Sequence, residues 1–281
     1  MAKIIIIGLG SIGRRHAKNA LALGYSLVCA DPYAAAVPGV VWYTDWRRSL
    51  AEHGDAQGCI IASPTDAHLE QLFTVARGGV DCYIEKPVMT AGDYERLNNI
   101  DGLHMLPLDG IFKNVTGFQY LFHPAMPAVE KLARRYGAIS FVGCDRLLAR
   151  YGPDVDGVMV AHPIATALRF LGPAVDVNLM SNGVQLSGHI VHAGGKVSRY
   201  DFDMDRGPRE SWARANGAEV ALTPDDGMYV AALAAWTTWL GGGPRDQRLS
   251  SLSDGLEVTR TLAKVSHLES AESQRPCRKA D

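Results

Sequence analysis

The sequence predicts an α/β chain of two domains: an N-terminal doubly wound parallel sheet, then a C-terminal α+β domain with an open, mostly antiparallel sheet. Three observations predict this. Through the first half, β-branched strand runs alternate with stretches of helical spacing. A glycine-rich turn, Gly8-Leu9-Gly10-Ser11-Ile12-Gly13, follows the first strand run directly. After about residue 117 the alternation gives way to longer strand-like runs separated by turn residues.

Residues 3–7 form a β-branched run of the kind buried on both faces of a parallel sheet. Residues 12–23 have helical spacing and stop at Gly24. The second strand, 26–30, closes at Asp31-Pro32. A third strand at 40–43 leads into a helix over 46–53, a fourth at 58–62 into a helix over 66–77, and a fifth occupies 80–84. Such strand–helix–strand units take right-handed crossovers. In the second half, 118–122 reads as extended, 124–136 as helix, 139–148 as a long strand and 158–171 as a helix stopped by Gly172-Pro173. Runs at 175–180, 183–193, 196–204 and 219–222 read as neighbouring antiparallel strands, with Ala193-Gly194-Gly195 as a turn. Helices over 227–240 and 252–267 flank the loop Gly241-Gly242-Gly243-Pro244, and the polar end 270–281 reads as loose. The expected domains are 1–117 and 118–281.

Composition narrows the class. A chain of 281 residues suits two domains. The formal net charge is −2 with no basic stripe, which argues against a nucleic-acid partner. The five cysteines have no zinc or redox spacing, and their odd number argues against a disulfide framework; they read as small buried hydrophobes in a reducing cytoplasm. The apolar run before Gly8 is too short for a signal peptide, and nothing approaches the roughly 20 apolar residues of a membrane span. A cytoplasmic protein without a membrane partner is expected. No clustered metal ligands or Ser-His-Asp arrangement is visible. His189 and His192 read as surface residues of a strand, and His16 and His123 as structural.

The glycine turn carries the first chemistry. In a strand–turn–helix context, Gly8 allows the tight turn, Gly10 lets a pyrophosphate approach the backbone, and Gly13 lets the helix pack close to the sheet. The amides opening the helix near Ser11 and Ile12, with the helix dipole, stabilise phosphate charge. The turn therefore predicts a Rossmann dinucleotide site. Asp31, eighteen residues after Gly13, ends the second strand, where a carboxylate accepts hydrogen bonds from adenosine ribose hydroxyls and repels a 2′-phosphate. NAD is expected rather than NADP. Asp31 also reads as the first residue of an Asp-Pro turn. Lys86 ends the fifth strand and points into the crevice where such folds bind ligands; its ammonium suits a developing alkoxide.

At Glu85-Lys86-Pro87 the sequence resembles the Gfo/Idh/MocA family of NAD(P)-dependent oxidoreductases. Gly10-Ser11-Ile12-Gly13-Arg14-Arg15-His16, the segment Ile61-Ala62-Ser63-Pro64-Thr65-Asp66-Ala67-His68, Gly117-Phe118-Gln119-Tyr120 with His123-Pro124, and Ser253-Asp254-Gly255-Leu256-Glu257-Val258 are similar to that family's corresponding stretches. The likeness is dense over 3–136, sparse over 139–222, and returns near the C-terminus. It implies hydride transfer between nicotinamide and a hydroxyl or keto carbon of a polar small molecule: a sugar, amino sugar, sugar nucleotide or cyclitol. It implies that Lys86 hydrogen-bonds the reacting oxygen and that Glu85 supports the cofactor side. Gln119 then approaches the nicotinamide end, Ser63, Pro64, Thr65 and His68 lie along the cofactor groove, and the bond before Pro87 is one that is often cis in relatives.

The sequence also departs from the family. His162 fits the general acid or base histidine, but the supporting Asp position is Val158, a further acid position is Ala165, and Leu121 replaces a junction arginine. Three readings are open: Lys86 and His162 suffice; Asp154 or Asp156 supplies the carboxylate; or the site serves another substrate or no catalysis. Tyr151 reads as a packing aromatic. The alternatives to a dehydrogenase are a non-catalytic NAD-binding or NAD-sensing protein and a relative using bound NAD for elimination or hydrolysis. A homodimer or homotetramer through the open sheet is expected.

Overall fold

The computed structural model describes residues 2–36, 39–106, 112–145, 155–205, 207 and 210–267. Tyr151, Asp154 and the expected loose tail lie outside the described residues, as do the side chains of Asp156 and Val158.

The first half builds β1 (Lys3–Ile7), α1 (Ser11–Ala22), β2 (Ser26–Ala30), β3 (Val41–Tyr43), α2 (Trp46–Glu52), β4 (Gly58–Ile61), α3 (Thr65–Arg77), β5 (Cys82–Ile84), α4 (Ala91–Asn99) and β6 (Val115–Thr116). The later elements are α5 (Met126–Tyr136), β7 (Ala138–Cys144), α6 (Val155–Leu171), β8 (Ala174–Ser181), β9 (Gln185–His192), β10 (Val197–Asp203), β11 (Glu210–Ala215), β12 (Ala218–Ala221), α7 (Asp226–Leu240), β13 (Ser250–Ser251), α8 (Leu252–Leu262) and β14 (Ser266–His267).

One sheet has the order β13-β6-β5-β4-β1-β2-β3. It is parallel except where β13 meets β6. Ile4 to Ile7 are buried along the whole of β1, as expected of a strand with helices on both faces. The core around it joins Ile5, Ile7, Val28, Ile61, Leu72, Ile84 and Leu252. Burial pushes the Cys29 thiol up to about 12 and raises Cys59 and Cys82 as well, so these thiols are packing groups, not nucleophiles.

The second sheet has the order β12-β11-β7-β10-β9-β8-β14. It is antiparallel except at β7–β10 and β8–β14. β8, β9 and β10 are antiparallel neighbours as expected, but the run at 219–222 is not beside them: β12 pairs with β11 at the other edge. Alternate residues of β7 and β10, among them Ile139, Phe141, Tyr200 and Phe202, fill its buried face.

Other expectations are revised. Residues 119–122 form a short 3-10 turn rather than a strand. The last helix ends at Leu262, and Ser266–His267 instead pairs with β8. Strand β11 has no counterpart among the expected elements. His192 is buried, not on the surface: Nδ1 lies 2.7 Å from the Gly172 carbonyl and Nε2 2.8 Å from Ser198 Oγ, so both ring nitrogens are used inside the fold.

The chain divides into two compact units, Met1–Met126 with Ile164–Thr166 and Pro224–Ala263, and Pro127–Pro163 with Ala167–Thr223 and Lys264–Asp281. The expected domains meet at 117, whereas α7 and α8 belong to the first unit. Packing explains α7: Trp236 sets its ring edge-on to Tyr83 at 5.5 Å and donates from Nε1 to the Lys113 carbonyl at 3.0 Å. A Cβ on Gly58 would stand 2.7 Å from that indole, so glycine opens the space.

Candidate active site

The turn after β1 is built by three glycines with different duties. Gly8 has φ +90°, and a Cβ there would lie 2.5 Å from the Ser63 amide nitrogen. A Cβ on Gly13 would lie 1.9 Å from the Gly8 carbonyl oxygen, so only glycine lets α1 begin this close to the sheet. Gly10 differs. It is exposed, and among the described residues, its two chain neighbours aside, a Cβ there would meet no atom within 4 Å. Gly10 is also the N-cap of α1, with no side-chain cap, so the first-turn amides over Ser11, Ile12 and Gly13 lack the usual side-chain acceptor. This open, uncapped cradle fits a dinucleotide's diphosphate in space and in charge.

Asp31 follows β2. Its Oδ2 accepts from the Leu9 amide at 2.7 Å, and Oδ1 accepts from the Tyr33 and Ala34 amides at 2.8 Å each. Partial burial alone would raise its pKa; the three amides, helped by the charge of Arg14, outweigh that and hold it below the ordinary value. A carboxylate offers about four acceptor positions, and three are taken. One is left for a further donor. Asp31 thus organises the Asp-Pro turn and also braces the glycine turn.

The loop after β4 carries Ser63, Pro64 and Thr65. Ser63 Oγ donates to Gln71 Oε1 at 2.6 Å, Pro64 is exposed, and Thr65 opens α3. His68, on the first turn of α3, is only 1% exposed, and its ring nitrogens lie against the Pro87 and Ser63 carbonyls.

Beyond β5, Glu85 is buried and its amide still pairs with the Ile61 carbonyl at 2.9 Å. Its Oε1 lies 2.7 Å from His16 Nε2 and accepts from Gln119 Nε2. His16 and Gln119 are also buried. Tyr83 joins this cluster, edge-on to His16 at 5.2 Å and hydrogen-bonded to Gln119; burial, with Glu85 nearby, holds its hydroxyl well above the usual range. The cluster closes over Gly117, where a Cβ would stand 2.9 Å from Gln119 Nε2, Glu85 Oε1 and Tyr83 Cε1 alike. Lys86 is half-buried next to this network and is joined to Pro87 by a cis peptide bond.

The first unit holds Gly8, Gly10, Ser11, Ile12, Gly13, Asp31, Ser63, Pro64, Thr65, Glu85 and Lys86 on the turns and helix starts that follow β1, β2, β4 and β5, with His68 in the first turn of α3 and Gln119 in the turn after β6. His162 lies in the second unit, buried on α6 immediately before Pro163. Leu121 and Ala165 are buried apolar residues. Sequence reasoning did not find the Leu9 amide on Asp31, Gln71 as the partner of Ser63, or His16 as the partner of Glu85. Only His16 had a local signal, its place at the end of the glycine-turn motif.

Residues 2–103 match the family model described as "Oxidoreductase family, NAD-binding Rossmann fold", that of Gfo/Idh/MocA. Over that stretch the chain is similar to the Rossmann domain of that oxidoreductase family. No curated protein matches the sequence. Solved structures share the fold. The WlbA (WbpB) dehydrogenase from Thermus thermophilus, in complex with NAD and UDP-GlcNAcA, superposes with a TM-score of 0.73 at 18% identity, covering 98% of this chain and 99% of that one. The myo-inositol dehydrogenase from Lactobacillus casei, in complex with NAD(H) and myo-inositol, gives 0.73 at 14% identity over 94% and 93%. A myo-inositol dehydrogenase from Corynebacterium glutamicum gives 0.69 at 18% identity over 94% and 96%.

Proposed function

We propose that this chain is an NAD-dependent dehydrogenase or reductase. It acts at a hydroxyl or keto carbon of a polar small molecule, of the sugar, amino sugar, sugar nucleotide or cyclitol class. The observation that carries the proposal is the uncapped, open turn over Gly10, with a braced carboxylate at Asp31 on the next strand. The solved structures of like fold that hold NAD with a UDP-sugar or an inositol support the substrate class.

The amides of Ser11, Ile12 and Gly13 bind the diphosphate, Asp31 takes a ribose hydroxyl and disfavours a 2′-phosphate, and NAD is the cofactor rather than NADP. When bound, the dinucleotide supplies the hydride acceptor or donor. Lys86 donates a hydrogen bond to the reacting oxygen and stabilises charge developing there. Glu85, fixed by His16 and Gln119, anchors the backbone from which Lys86 extends. His162 holds or moves the hydroxyl proton. The second sheet pairs copies into a dimer or tetramer, in the cytoplasm.

The test is turnover with NAD across a sugar, sugar-nucleotide and cyclitol panel, with Lys86→Met as control. NAD affinity is expected to hold within a few-fold while turnover falls at least a thousandfold. Tight NAD binding with no substrate turned over would overturn the enzymatic reading. It would favour the second one, a non-catalytic NAD-binding protein, for which the apolar Leu121 and Ala165 speak. Product formed with no net NADH would indicate elimination or hydrolysis instead.

A further inference from the structure

His68 has a geometry that neutral histidine cannot satisfy. Its Nδ1 lies 2.9 Å from the Pro87 carbonyl oxygen, and its Nε2 lies 2.9 Å from the Ser63 carbonyl oxygen. Both partners only accept. Neutral imidazole has one N–H, so it can bond one carbonyl while its other nitrogen turns a lone pair toward the second. Only the imidazolium donates to both.

The two carbonyls belong to the two segments that flank the proposed cofactor cleft. Ser63 starts the Ser63-Pro64-Thr65 loop after β4, and Pro87 follows Lys86. His68 is the side chain that ties them. We propose that His68 is a positioning residue whose charged form locks the Ser63 loop to the Lys86–Pro87 segment, so that cofactor binding takes up a proton at His68. This rests on the reading of the cleft as an NAD site.

The opposing forces make the proton exchangeable. Burial disfavours the charged form most strongly, and the net effect is a pKa below the ordinary histidine value. The helix N-terminus also disfavours a cation on this first turn. Against these stand the two carbonyls and, more weakly, the negative charges of Glu85 beyond β5 and Asp66 on α3. In the free protein near neutral pH, His68 is therefore mostly neutral, and one of the two ties is open. A ligand that needs both segments in the arrangement seen here draws the proton in. The proton comes from solvent, and no bond other than N–H is formed.

Two measurements on the whole chain test this. In the first, NAD binding is followed by calorimetry at pH 7 in buffers of different ionisation enthalpy, and its affinity is followed from pH 6 to 8.5. Wild type is expected to take up a substantial fraction of one proton and to lose affinity by up to about tenfold per pH unit as pH rises. His68→Gln, which cannot titrate, is expected to show neither effect. The second measurement needs no cofactor: 15N NMR of the imidazole and of the Thr65 and Val88 amides through a pH titration. The ring and both amides are expected to titrate together, with both ring nitrogens protonated at the acid end. Wild-type binding without proton uptake, or amides that ignore the ring's titration, would overturn the proposal. Absence of NAD binding at every pH would instead sink the cofactor reading and leave the NMR result to decide the tie.

Discussion

Gly10→Ala separates the ligand's demand from the fold's demand at one position. Among the described residues, its two chain neighbours aside, the added methyl meets no atom within 4 Å, and the backbone at Gly10, φ −65° and ψ −163°, is open to alanine. Two small effects on stability oppose each other. Restricting the unfolded chain stabilises by about 0.4–1 kcal/mol. Alanine is a poorer N-cap than glycine by up to about 1 kcal/mol. The melting temperature should therefore move by less than about 4 °C. The methyl does occupy the space through which a diphosphate reaches the first-turn amides. Losing one hydrogen bond to a charged group costs about 1.5–3 kcal/mol, which weakens NAD about ten- to 150-fold. Calorimetric titration with NAD, paired with thermal melts, reads both quantities. Gly13→Ala is the counter-case: its Cβ would stand 1.9 Å from the Gly8 carbonyl oxygen, so the fold itself should suffer, with a loss of about 3 kcal/mol or more. A stable Gly10→Ala protein that binds NAD with wild-type affinity would refute the diphosphate assignment.

Asp31→Ser removes the charge that opposes a 2′-phosphate, and the ratio of NADP to NAD affinity should rise at least tenfold in competition titrations; an unchanged ratio would place the ribose elsewhere. The Asp31 carboxylate has a folded pKa below its ordinary value of 3.8, so its contribution to stability is complete above about pH 3.8 and is lost as pH falls through the lower folded value. Acid unfolding followed by circular dichroism should accordingly lose a component in Asp31→Asn, whose amide also presents a donor toward the donating Leu9 or Tyr33 amide. Gly117→Ala should cost about 1–3 kcal/mol, read as a lower denaturant midpoint, because its Cβ meets three side-chain atoms of a close-packed buried cluster at 2.9 Å.

The elements that sequence predicts well here are those whose cause lies within a few residues. β1, β2 and α1 follow from Ile4–Ile7, from the apolar run before Asp31 and from a glycine turn whose steric demands are local. Elements defined by distant partners were not legible. β6 is two residues long and becomes a strand only between β5 and β13. The parallel pairing of β7 with β10 is set by the path of the chain, not by the alternation within either strand. The return of α7 to the first unit turns on Trp236 finding the gap over Gly58, across more than half of the chain.

The same distinction divides the site. Gly8, Gly10, Gly13 and Asp31 could be assigned duties because backbone geometry and formal charge need no knowledge of neighbours. The side chains of Glu85, Gln119 and His68 invite a direct role when seen in isolation, since each is polar and lies in a family-like motif. Buried polar groups must find partners, and those partners are tertiary: His16 reaches Glu85 from α1, and the Pro87 carbonyl reaches His68 from beyond the next strand. A polar residue whose acceptors and donors are already engaged inside the protein acts on a ligand through what it holds in place. On the proposed function, Glu85 and His68 would matter through the position of Lys86, and their variants should disturb the cleft's geometry before they disturb its chemistry.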